Sequence, residues 1–153
     1  YMQEVSYARS QCNTLVRLFA NSSRLNTNAF WSFSREALKM NRKILSQAHK
    51  LLPKCESSYD KETLNQIVVS SLQRHREMLS IYVRAMLVVK PSFQTQMITN
   101  DRYWERGDPS FGDEIHWTGK MLKYLENRTI STPQGLVLLE EGVKFLNRQI
   151  TED

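Results

Sequence analysis

The stretch WSFSREALKMNRKILSQAHKLLP, residues 31 to 53, decides the fold class. Trp31, Ser34, Leu38, Asn41, Leu45, Ala48 and Leu52 recur at alternating spacings of three and four. An α-helix brings such positions onto one face, because about 3.6 residues complete a turn. Ala37, Ile44 and Leu51 widen that face, and the heptad-like repeat suits the seam of a helical bundle. Pro53 has no amide hydrogen to donate and stops the run. The pattern therefore predicts a helix over 28 to 52.

Working outward, Val5, Ala8, Cys12, Leu15 and Phe19 predict a first helix over 3 to 20. NSSRLNTN, 21 to 28, breaks the apolar rhythm with residues that cap and turn. No Gly or Pro forces a break there, so one helix running to residue 52 is the alternative. A third helix is expected over 59 to 90, capped by Asp60 or Ser58 and ended by Pro91. Leu64, Ile67, Val68, Leu72, His75, Leu79, Tyr82, Val83 and Met86 mark its inner side. A fourth is expected over 113 to 127, opened by Asp113 and Glu114, acids that favour a helix N-terminus. Its inner face is Trp117, Met121, Tyr124 and Leu125. The fifth starts at Ser131 or Thr132, with Pro133 in its first turn. Leu136, Leu139, Val143, Leu146 and Ile150 give its inner face, and Gly135 and Gly142 would let a neighbour approach closely. Nothing alternates with period two. The expected fold is all-α: an antiparallel bundle of four main helices plus one shorter helix, with a long structured connection before the fourth. One domain, 1 to 153, is expected, standing alone or cut from a longer protein.

Composition narrows the chemistry. The chain has 153 residues, 41% hydrophobic and 24% charged, the balance of a globular protein. No apolar run approaches 18 residues, so no transmembrane segment is expected. Two cysteines are present, Cys12 and Cys55. If the first two helices form a hairpin turning near residue 24, Cys12 sits opposite residue 36, roughly 28 Å from Cys55. A disulfide needs Cα atoms within about 7 Å, so two free thiols are expected. His49, His75 and His116 fall on three different predicted helices, with no HxxxH or HExxH spacing. His75 reads as a hydrogen-bonded core or boundary residue. His116, beside Asp113 and Glu114, is the one local acid/base candidate. There is no P-loop, GxSxG or GxGxxG. No catalytic residue, metal site or cofactor is assigned.

Charge is unevenly spread. Residues 1 to 54 carry nine Lys or Arg against two acids, a net +7, while 55 to 153 carry twelve against fourteen, a net −2. Arg35, Lys39, Arg42, Lys43, Lys50 and Lys54 form a basic stripe on the second helix, accompanied only by Glu36. A merely solvated face mixes both signs in i,i+4 pairs, and this one does not. The stripe is the first candidate site, a docking face for an acidic protein segment or another anionic surface. The second is the segment RYWERGDPSFGDEIHWTG, 102 to 119, with Trp104, Arg106 and Asp108. There Arg106-Gly107-Asp108-Pro109 reads as a turn, and Tyr103, Trp104 and Phe111 as rings covering one end of the bundle. The favoured function is a non-enzymatic interaction or scaffold module. The alternatives are an extracytoplasmic ligand-sensing bundle of a membrane receptor and a nucleic-acid-binding domain using the same stripe. A start at Met2 favours the cytoplasm, and an excised sensor domain the outside.

Overall fold

The computed structural model describes residues 1–20, 28–89 and 111–152. Among these the chain forms five α-helices and no strand: α1 Met2–Ala20, α2 Asn28–Leu51, α3 Ser58–Val89, α4 Phe111–Leu125 and α5 Pro133–Glu152. A 3₁₀ turn, Leu52–Lys54, closes α2 with Pro53 inside it. The fold is all-α. Trp104, Arg106, Asp108 and the connection around them lie outside the described residues.

Local chemistry explains the ends. Ser57, not Asp60 or Ser58, caps α3: its hydroxyl accepts from the Asp60 amide at 3.0 Å. At the start of α5, Thr132 Oγ1 accepts from the Gly135 amide at 3.1 Å, and Pro133 fills the first helical position. The α4 helix begins two residues earlier than expected, at Phe111. Glu114 therefore sits well inside the first turn.

The choice between one long helix and two is settled by a single bond. The Tyr1 hydroxyl donates to the Ile44 carbonyl at 3.0 Å. In one straight helix those residues would stand roughly 65 Å apart. The α1 and α2 helices instead lie against each other, with Val5 and Ala8 clustered on Ile44.

Two larger apolar clusters fill the interior. One joins Leu45, Ala48 and Leu52 of α2, Leu64, Val68 and Leu72 of α3, Trp117 and Met121 of α4, and Leu139 and Leu146 of α5. The other joins Cys12 and Leu15 of α1, Ala37 and Leu38 of α2, and Met78, Leu79 and Tyr82 of α3. Every seam position of α2 from Ser34 to Leu52 is buried. Leu136 departs from expectation: on the first turn of α5 it stays exposed beside Val137. Both cysteines are free thiols, Cys12 buried and Cys55 half-buried. Among the described residues no helix is long and apolar enough to cross a membrane.

Candidate functional site

Between the two apolar clusters lies a polar layer: Asn41 and Arg42 on α2, Ser71, Arg74 and His75 on α3, and Glu114 and Thr118 on α4, all buried. Glu114 is its hub. Arg42 Nε donates to Glu114 Oε1 at 3.0 Å and its terminal nitrogen to Oε2 at 3.3 Å, a two-point pairing. His75 Nε2 meets Glu114 Oε2 at 2.8 Å. The Asn41 amide nitrogen stands 2.9 Å from the Ser71 carbonyl and 3.1 Å from His75 Nδ1.

Hydrogen-bond roles orient the network. The Ser71 carbonyl can only accept, so the amide nitrogen of Asn41 must face it. The amide nitrogen then also faces His75 Nδ1. His75 Nε2 donates its proton to Glu114. The carboxylate is balanced by the guanidinium of Arg42. Burial pushes the Glu114 carboxyl up, but the hydrogen bond and charge of His75 and the charge and hydrogen bonds of Arg42 outweigh it and hold the group below the usual carboxylate range.

Arg42 therefore leaves the basic stripe, a correction to the sequence reading. Its spacing from Arg35 and Lys39 places it on the same side of the helix, but that edge lies beneath α5 and faces α4. Ser46, one turn further on, donates to Asn147 of α5 at 2.7 Å. An unpaired guanidinium there would be costly, and Glu114 removes that cost. His116 is exposed, while the neighbouring Glu114 turns inward to His75. The signal that could have found the network was Asn41 in an apolar seam, a polar residue needing a partner.

The remaining five basic residues form the candidate site. Arg35, Lys43, Lys50 and Lys54 are exposed and Lys39 is half-buried. None of the five is ion-paired with another described residue. Among the described residues, their row runs along a side of α2 that α1, α3 and α5 leave largely exposed. Arg35, Lys39 and Lys43 follow at intervals of four, and Lys50 and Lys54 extend the row past the helix end. Like charges so placed destabilise a helix by about 0.2–0.5 kcal/mol per pair. Among the described residues no three His, Cys, Asp or Glu side chains converge as metal donors.

Comparisons of the chain with protein families, with curated proteins and with solved structures give no match.

Proposed function

We propose that this chain is a non-enzymatic docking module that holds an acidic protein segment on the cationic row of α2. The observation that carries the reading is the row itself: five cations along one side of α2 and the turn that follows it, none of them paired with a described carboxylate. A bound anion would relieve their mutual repulsion and draw on a potential that neighbouring cations reinforce within a Debye length of about 8 Å. The polar layer beneath contributes differently. Within it Arg42, His75 and Glu114 hold one another and are shut away from solvent, so they anchor the platform rather than touching a ligand.

The test uses labelled polyglutamate followed by fluorescence anisotropy. Lys39→Glu/Lys43→Glu/Lys50→Glu should weaken binding by roughly tenfold or more, equivalent to about 1.4 kcal/mol or greater. Lys61→Glu/Lys123→Glu, with two exposed lysines on other helices, should change it little. Equal losses in both variants would reduce the effect to net charge and sink the reading. Tighter binding of a single-stranded oligonucleotide than of polyglutamate would overturn the choice of an acidic protein segment.

A further inference from the structure

Beside the cationic row runs a groove between α1 and α2. It is lined by Tyr7 and Gln11 from α1 and by Ser32, Phe33, Glu36 and Met40 from α2, and encloses about 450 Å³. Tyr7 is 56% exposed, an aromatic face left to solvent at the groove's edge. On a helix, residues three apart are surface neighbours. Arg35 therefore flanks Ser32, Lys39 flanks Glu36, and Lys43 flanks Met40. The groove row and the cationic row are parallel, each roughly 12 Å long and about 60° apart around α2.

We infer that groove and row together receive one amphipathic acidic helix. Its apolar side chains would enter the groove against Tyr7, Phe33 and Met40, and its carboxylates would lie along Arg35, Lys39 and Lys43. This deepens the docking function proposed above and rests on it. Three features select the occupant. Cations every four residues stand about 6 Å apart along α2, which matches acids every four residues on a helix laid alongside. An extended segment points successive side chains to opposite faces, so it does not address two adjacent rows of one surface. Glu36, the single acid of the groove row, repels a carboxylate placed directly over the groove. It thereby confines acids to the other edge and leaves the groove edge apolar. Gln11 lies on the groove floor, with an Oε1 that has no hydrogen-bond partner among the described residues.

The experiment compares three labelled peptides on the full chain: polyglutamate, an amphipathic helix with Glu and Leu on adjacent edges, and a scramble of that helix. The amphipathic peptide should bind at least tenfold more tightly than its scramble. Tyr7→Ser should remove most of that preference while leaving polyglutamate binding unchanged. Glu36→Gln should act in the opposite sense and raise affinity for the scramble, a gain that a folding defect cannot imitate. Equal binding of amphipathic and scrambled peptides, or a preference untouched by Tyr7→Ser, overturns the groove assignment while polyglutamate binding keeps the cationic row. Polyglutamate binding indifferent to charge reversal on α2 overturns both.

Discussion

Glu114 is held by a side chain from each of two other helices, Arg42 on α2 and His75 on α3. Removing a buried charge partner is more damaging than never having had one, because the other charge remains desolvated. Glu114→Gln should cost about 3–5 kcal/mol in urea denaturation at neutral pH. A loss below about 1 kcal/mol would mean that water or another group reaches Arg42. The pH profile gives the same residue a second readout. The folded carboxyl titrates below its unfolded value of about 4.3, so its contribution is complete above that pH and is lost as pH falls towards the folded value. The wild type should therefore lose stability across that acid window more steeply than the Gln variant, which has no carboxyl there to protonate.

Contacts between elements turn on equally local features. Trp117 of α4 donates its indole proton to the Leu138 carbonyl at 2.8 Å, and its ring lies on Gly142 of α5, where a β-carbon would collide with it. Gly142→Ala should destabilise by about 1–3 kcal/mol through overpacking. Gly119, also helical, has open space at its β-position, so Gly119→Ala should stabilise by about 0.5–1 kcal/mol through helix propensity alone. Thermal denaturation of the pair separates close packing from propensity, and equal signs would refute the argument. The limits of helices were legible in the chain because Pro53, Pro133 and the three-four repeats act over one turn. What lay across helices was not. Arg42 and Lys43 are adjacent in sequence, and only the arrival of α5 and α4 makes one buried and leaves the other exposed. Asn41 meets a partner 34 residues away and Arg42 one 72 residues away, distances over which periodicity carries no information.

At the scale of the whole molecule, the two thiols report on the interior. Burial, with Glu77 adding and Arg74 opposing, pushes the Cys12 thiol up to about 11, whereas Cys55 is half-buried just past α2. A thiol reagent at neutral pH should modify Cys55 readily and Cys12 only as fast as the interior opens, so added urea should accelerate the second reaction far more than the first. Rapid native labelling of both would contradict the cluster of Cys12, Leu15, Leu38 and Leu79. The clasp of α1, α3 and α5 around α2 bears on timing as well as strength. In the proposed docking, a helix gripped on three sides would bring its cationic row to an encounter already in position, with only long side chains left to order. Capture from solution would then proceed at the pace of diffusion steered by charge, and residence time would be set by how well the arriving chain fits.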